Sequence, residues 1–425
     1  MRASETKELL KAGALGKYSE LYADVNAESE RFILALDKFI SLYTDREVEL
    51  FSVPGRSEIS GNHTDHNRGC VLAGAIDRDI IAIAAKNDEG VIRFHSEGYP
   101  LDTVRISDTA VPENFEKYTS ASLIAGMVDA FTKHGYCVGG YDVYSNSEVL
   151  KGSGISSSAA YEVMIGNILN HLYNGGCVDN KKIAEFAQYA ENRYFGKPCG
   201  LMDQMACAVG GFVYIDFADT CAPVVEPIDF SLGEVGYSLS IINTGGNHAD
   251  LNEDYASVPR EMKDVAKHLD REVLCGITEC ELISRIPELR ESVGDRAILR
   301  AMHFIRENDR VRDAKAALVT GDVSAFFNAV NASGASSFKY LQNVYTNVNV
   351  REQGLSLALS LADGYLKGKT GAARVHGGGF AGTVQVFTKK EDQAGLKALM
   401  DSVFGNGATM TLNIRPVGAT KLDIR

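Results

Sequence analysis

The sequence predicts an α+β protein of two closely joined domains with a cleft between them. Three observations carry this. The chain has 425 residues, more than one ordinary domain holds. Its texture changes from helical to strand-like near residue 47. Beyond about residue 230 it becomes largely helical again, with strand-like runs between the helices.

Taken in order, residues 4–46 place Leu9, Leu10, Leu21, Phe32, Ile33, Leu36 and Phe39 at helical spacing. EVELFSV, VLAGAI, DIIAIAA and VIRFHS then read as four strands separated by turn-formers. A helix is predicted over 119–134 and a strand over 140–149. The glycine- and serine-rich KGSGISSS runs straight into the apolar helix AAYEVMIGNILNHLY. Asp179 is a ready N-cap for a helix reaching about Phe195. GFVYIDF, YSLSIINT, RVHGGGFAGTVQVFT and TMTLNIRPV supply later strands, and 373–404 reads as strand, glycine turn, strand, helix. Domains are expected over 1–228 and 229–425.

Composition limits the function. Apolar residues make up 45% and charged residues 23%, which is usual for a soluble globular chain. The 43 basic and 56 acidic residues give a net charge of −13, which opposes non-specific nucleic-acid binding. An anionic ligand therefore needs a local trap of backbone N–H groups, a helix terminus or a metal ion. Cysteines 70, 137, 177, 199, 207, 221, 275 and 280 contain no C-x-x-C pair, and several lie in apolar runs. They read as reduced structural thiols of a cytoplasmic protein. The N-terminal MRASETKELLKAG lacks an apolar leader segment, and no run reaches the roughly 18 apolar residues of a membrane span.

KGSGISSSAA, residues 151–160, is the segment with the most specific chemistry. Glycines let backbone N–H groups converge, the serines add hydroxyls, and the following helix contributes its positive end. A serine N-cap after a tight turn is the simpler reading, but three consecutive hydroxyls exceed what one cap requires. GYLKGKT at 364–370 is one residue short of a Walker A loop and follows no strand. A G-x-S-x-G elbow and the protein-kinase signatures are absent. GNHTDH, residues 61–66, could be a metal site, a catalytic relay or a set of hydrogen bonders for a polar molecule. In an extended segment His63 and Asp65 would share a face and His66 would point away, which suits a metal poorly.

PGRSEISGNHTDHNRGCVL (54–72) resembles P-G-R-x-N-x-I-G-E-H-T-D-Y-N-G-G, the signature of the galactokinases within the GHMP small-molecule kinase superfamily. GISSSAA is similar to that family's G-L-S-S-S-A phosphate loop. AENRYFGKPCGLMDQ (190–204) resembles A-E-x-x-x-x-G-x-x-C-G-I-M-D-Q, and HGGGFAG (376–382) resembles G-G-G-F-G-G. The four motifs fall in the family's order and span nearly the whole chain.

The resemblance implies an N-terminal ribosomal-S5-like α/β domain, a C-terminal ferredoxin-like α+β domain and an active site in the interdomain cleft. It implies Asp203 as catalytic base or charge partner at the sugar's anomeric hydroxyl, with Arg56 holding that carboxylate ionised. Gly152, Ser153, Gly154, Ser156, Ser157 and Ser158 would surround the ATP phosphates, and Ser158 and Glu191 would bind Mg²⁺. Asn62, His63, Asp65, Gly200 and Tyr255 would contact the sugar, Tyr255 on the spacing H-x6-Y in NHADLNEDY. Each of Asp203, Glu191 and Arg56 also has a plain reading, as N-cap, solvated helix charge and surface turn residue.

Three departures from the family pattern matter for function: Asn62 replaces a glutamate that meets the sugar's 6-hydroxyl, His66 a tyrosine and Ala381 a glycine. Asparagine carries no charge and can donate, which leaves room for galacturonate as well as galactose. The expected function is an ATP-dependent sugar 1-kinase acting on galactose. A uronate or other galactose-derivative kinase and a non-catalytic ATP- and galactose-binding regulator are the alternatives. The expected partners are the sugar and ATP, without nucleic acid or membrane, for a monomer or weak homo-oligomer.

Overall fold

The computed structural model describes residues 1–149, 154–220, 222–246 and 251–425. The chain forms two compact units, each discontinuous in sequence. The first comprises Met1–Arg56, Ala75–Gly211 and Arg415–Arg425; the second comprises Ser57–Gly74 and Phe212–Ile414.

Twelve strands are described: β1 (Glu49–Ser60), β2 (Cys70–Lys86), β3 (Val91–Ser96), β4 (Asp102–Arg105), β5 (Tyr141–Ser147), β6 (Phe212–Asp216), β7 (Val224–Ile228), β8 (Tyr237–Asn243), β9 (Ala372–His376), β10 (Thr383–Lys389), β11 (Thr409–Leu412) and β12 (Thr420–Leu422). The first unit's sheet has the order β12-β1-β2-β5-β3-β4. Only β3 and β5 pair in parallel among its registered ladders. In the second unit β6 pairs antiparallel with the start of β2, and β7 with β6. A separate antiparallel sheet there has the order β11-β8-β10-β9.

The expected strands VLAGAI and DIIAIAA are one continuous strand, β2. Its middle, Asp77-Arg78-Asp79, looks like a turn in sequence but is ladder in the structure. The reason is charge compensation. Asp79 is buried and accepts from Arg31 at 2.6 Å, from Arg415 and Tyr22 at 3.2 Å each, and from the Ser52 hydroxyl. A paired and hydrogen-bonded carboxylate can stay inside a sheet that a lone one would break.

The first unit's core joins Phe32, Leu36 and Phe39 of the helix Val25–Tyr43 to Ile81, Ile83 and Tyr144 of the sheet. In the second unit, one cluster packs Val258, Met262 and Val265 of the helix Asn252–His268 on Ile298, Ala301 and Phe304 of the helix Asp295–Thr320. Another packs Val375, Val384 and Val386 of the sheet under Leu396 and Met400. Among the described residues no helix is long and apolar enough to cross a membrane. The seven described cysteines are free thiols.

Candidate functional site

In the first unit, Gly154 and Ile155 lead into the helix whose start was expected to bind phosphate. The helix Ser157–Tyr173 begins after Ser156, whose φ of 66° is left-handed. The Ser156 hydroxyl caps nothing; it donates to the Asp203 carboxylate. The simpler N-cap reading of this serine therefore fails. Ser157 and Ser158 occupy the first turn, where free N–H groups and the helix dipole favour an anion. Gly152 and Ser153 lie outside the described residues.

Arg56 ends the first unit's share of β1, and it is buried rather than a surface turn residue. Its Nε and one terminal nitrogen donate to the two Asp203 oxygens at 2.6 and 2.7 Å, a two-pronged pair. Its other terminal nitrogen donates to the Gly154 carbonyl at 2.6 Å. Gly55 makes this approach possible, because a Cβ there would sit 2.7 Å from the Ile155 carbonyl oxygen. Asp203 lies in the first turn of the helix Met202–Val209, two residues past its N-cap Leu201. Burial pushes the Asp203 carboxyl up, but the Arg56 guanidinium and the bonds from Arg56 and Ser156 outweigh it. The group is held below the usual carboxylate range. With 31% of its side chain exposed, it remains reachable.

Glu191 stands where the helix Asn180–Ala190 passes into a π-helical turn, Glu191–Phe195. Such turns change the direction of a helix and recur at functional sites. Asp179 caps the helix as expected, accepting from the Lys181 N–H. Glu191 is 2% exposed, so it is no solvated face charge. It accepts from the Ser158 hydroxyl at 3.3 Å, Lys197 at 3.0 Å and Gln204 at 2.8 Å. Gln204 also donates to Glu162 at 3.2 Å. Burial first, then the neighbouring Glu191 charge, raises the Glu162 carboxyl well above its ordinary range. Gln204 stands inside CGLMDQ and could have been singled out from the sequence; Glu162 and Lys197 carry no signal of their own. Gly200 precedes the Met202–Val209 helix in the same segment.

In the second unit the signature segment is not extended. β1 ends at Ser60, and a turn leads into the 3₁₀ helix Asp65–Asn67. The face argument made for an extended GNHTDH therefore does not apply: the His63 and His66 rings lie with centroids 6.0 Å apart. Among the described residues no group of three or more His, Cys, Asp or Glu side chains could hold a metal ion. His63 has a left-handed φ of 58°, uncommon for a residue with a Cβ.

The signature instead grips the glycine turn after β9. The Gly377 carbonyl accepts from Asn62 at 2.8 Å. The Gly378 carbonyl accepts from His63 Nε2 at 2.9 Å and from Asn343 at 3.0 Å, and the Gly379 carbonyl from the Tyr255 hydroxyl at 2.6 Å. Gly378 has to be glycine, since a Cβ would fall 2.7 Å from the Tyr255 ring. Because Nε2 faces a carbonyl, it carries the His63 proton and leaves Nδ1 as an acceptor. Burial, then the adjacent His66 ring, pushes His63 down to about 4. Asn62, expected to meet the sugar's C6, is 1% exposed and has both amide protons committed, to Gly377 and to Glu58. Asp65 accepts from the His66 N–H at 2.9 Å. Asn343 had no sequence signal, because it lies in a loop outside every motif.

Known proteins are similar to this chain over most of its length. Residues 37–86 match the family model "Galactokinase galactose-binding signature", and residues 122–211 match "GHMP kinases N terminal domain". Galactokinase of Streptomyces coelicolor is 30% identical over 372 residues, 86% of this chain and 90% of that protein. Galactokinase of Thermotoga maritima is 31% identical over 340 residues, 79% and 88% of the two. The crystal structure of Lactococcus lactis galactokinase complexed with galactose matches with a TM-score of 0.76 at 24% identity, over 91% of this chain and 98% of that one. Methanococcus jannaschii mevalonate kinase matches at 0.61 and 14% identity, over 87% and 98%. The fold is the two-domain GHMP kinase fold.

Proposed function

Since the chain belongs to the galactokinase family, we propose that it transfers the γ-phosphoryl group of ATP to the anomeric hydroxyl of galactose. The observation that carries this is the Arg56–Asp203 pair joined to Ser156 at the start of the Ser157–Tyr173 helix. An ionised carboxylate and an anion-binding helix end are held together there by one network.

Phosphoryl transfer depends on alignment and charge stabilisation more than on covalent help. Asp203 accepts a hydrogen bond from the sugar's O1 hydroxyl and orients its lone pair toward phosphorus. As the bond from phosphorus to the ADP oxygen lengthens and the O1–P bond forms, the O1 proton passes to Asp203. A depressed pKa makes Asp203 a weak base for a free alcohol, so this transfer comes late, when O1 has become acidic. Arg56 keeps the carboxylate oriented and opposes the negative charge of the transferring group. The N–H groups of the first helical turn and the Ser157 and Ser158 hydroxyls receive the phosphate oxygens.

Ser158 and Glu191 are an oxygen pair suited to a hard cation that keeps most of its waters, and they would hold Mg²⁺. When bound, Mg²⁺ neutralises charge on the β- and γ-phosphates. In the second unit His63, Asp65 and Tyr255 are the groups assigned to the sugar hydroxyls. Asn62 has no uncommitted donor for a C6 carboxylate, which favours galactose over galacturonate. Use of ATP and the free thiols fit a cytoplasmic enzyme, working as a monomer or weak homo-oligomer.

The test is ADP release from purified protein with ATP, Mg²⁺ and a panel of hexoses, hexosamines and uronates. Galactose is expected to give the highest kcat/KM. A higher value for galacturonate moves the substrate; silence on every sugar overturns the kinase reading and leaves the binding regulator.

A further inference from the structure

Two residue types in the signature are exchanged relative to the family pattern, and the fold puts them in contact. In P-G-R-x-N-x-I-G-E-H an amide follows the arginine by two positions and a carboxylate by six; here Glu58 and Asn62 stand there. The Asn62 amide donates to a Glu58 oxygen at 2.8 Å. One carboxylate and one amide are kept, at exchanged positions.

The surroundings show why neither residue can change alone. The Glu58 oxygen that receives Asn62 also receives Arg374 of β9 at 3.2 Å. Arg374 is fully buried and donates in addition to the Ile59 carbonyl at 2.8 Å. The charge of Glu58 is thus balanced where it stands. A carboxylate at position 62 would face Glu58 at hydrogen-bonding distance, and like charges that close cannot both ionise. Removing the carboxylate from position 58 would leave Arg374 buried without this counter-charge.

Asn62 is held on every side. Its second amide proton goes to the Gly377 carbonyl, and its side-chain oxygen accepts from Asn343 at 2.6 Å. Its backbone carbonyl accepts from His303 Nε2 at 3.0 Å, and the preceding Gly61 N–H donates to Glu307 at 3.0 Å. A residue fixed in this way ties the signature to the glycine turn on which His63 and Tyr255 rest.

We propose that Glu58 and Asn62 form a coupled positioning pair that sets the Gly377–Gly379 turn against His63 and Tyr255, and that their identities can be exchanged together but not altered singly. The kinetic readout of this proposal rests on the sugar-kinase reading; the coupling itself does not. Four proteins decide it: wild type, Glu58→Asn, Asn62→Glu and the double exchange. Melting temperature, KM for galactose and KM for ATP are measured on each.

Each single variant is expected to melt about 5 °C or more below wild type and to raise the galactose KM by ~10-fold or more, with the ATP KM within about 3-fold. The double exchange is expected to recover at least half of both losses. A purely structural role would lower the active fraction, and so kcat, without moving the galactose KM. Losses in the double exchange equal to the sum of the singles overturn the pair.

If no sugar is phosphorylated, the melting-temperature cycle still decides the coupling separately from the activity. If a single variant fails to fold, the isosteric Asn62→Asp replaces it. Its carboxylate faces Glu58 with Arg374 beside them, so its deficit against wild type should shrink as pH falls from 8 to 5 and the pair shares a proton. A deficit independent of pH overturns the proposal.

Discussion

The first unit brings charges together: Arg56 with Asp203, and Lys197 with Glu191. The second unit's signature contact is largely uncharged. There an amide, a neutral imidazole and a phenol each donate to one of three successive glycine carbonyls, with Asn343 as a further donor to the middle one. On the proposed function, the difference follows from what each would recognise. Phosphoryl transfer moves negative charge, and preorganised charges and dipoles stabilise it at low reorganisation cost. A neutral sugar offers only hydroxyl geometry, and fixed neutral hydrogen bonders discriminate hydroxyls through the penalty of leaving partners unpaired.

The sharpest way to break this contrast is Asp203→Asn. Asparagine keeps the shape but can neither take the O1 proton nor balance Arg56. We expect kcat to fall by about 10²–10⁴-fold with the galactose KM changed only a few-fold. Steady-state ADP release measures it. A loss below 10-fold would remove Asp203 from the chemistry and leave it as an anchor for Arg56.

The next effect lies in the second unit and in its acid stability. The folded His63 titrates at about 4, below the ordinary histidine range near 6.5. A depressed folded pKa means that the unfolded chain binds the proton first. The stability from a neutral His63 is present above pH ~6.5 and is lost as pH falls toward 4, at up to about 1.4 kcal/mol per pH unit. Asp203 has the same sign at lower pH, since its carboxyl is depressed from a carboxylate value and its contribution is lost only below that. Denaturant midpoints between pH 4.5 and 7.5 should therefore slope more in wild type than in His63→Gln. Equal slopes would show that His63 is not held neutral by the fold.

The two regions were also unequally legible in the sequence. In the first unit GISSSAA, CGLMDQ and Arg56 each carry a motif, because phosphate and carboxylate geometry demands particular residues at particular spacings. The Arg56–Asp203 pair was expected there, but the Ser156 bond to Asp203 and the parts played by Lys197, Gln204 and Glu162 were not. The second unit's clamp was legible only by half. His63 and Tyr255 stood out, but what they touch are backbone carbonyls, which have no residue signature, and Asn343 comes from a loop with no motif. The assumption of an extended 61–66 failed because Gly61, at φ 97°, and His63, at φ 58°, turn the chain. The apparent break in β2 arose because the partners of Asp79, Arg31 and Arg415, are far away in sequence.

A smaller effect tests how far the neutral clamp depends on any one bond. Tyr255→Phe removes the hydroxyl that donates to Gly379 while keeping the ring edge-on to Phe380, at 5.3 Å between centroids. A single neutral hydrogen bond is worth about 1 kcal/mol. The galactose KM should therefore rise by ~5-fold with kcat nearly unchanged. A loss confined to kcat would assign Tyr255 to the transition state instead of to binding.

The last effect is in the charged region, at the buried acid Glu162, whose carboxyl burial raises. Glu162 is fully buried, one helical turn after Ser158, with the Gln204 amide as donor to one oxygen. Its raised pKa means the folded protein holds a proton there that the unfolded chain gives up. That contribution is complete below the unfolded carboxyl value, near 4.3, and is lost as pH rises through the higher folded value. Glu162→Gln stays neutral in both the folded and the unfolded chain, so it should lack the decline that wild type shows as pH rises above about 4.3, and it should be no less stable than wild type at pH 7. A loss above ~2 kcal/mol at pH 7 would mean that Glu162 is ionised and paired. In that case the first unit would hold a third carboxylate charge beside Glu191 and Asp203, and Lys197 and Arg56 would no longer balance the cluster.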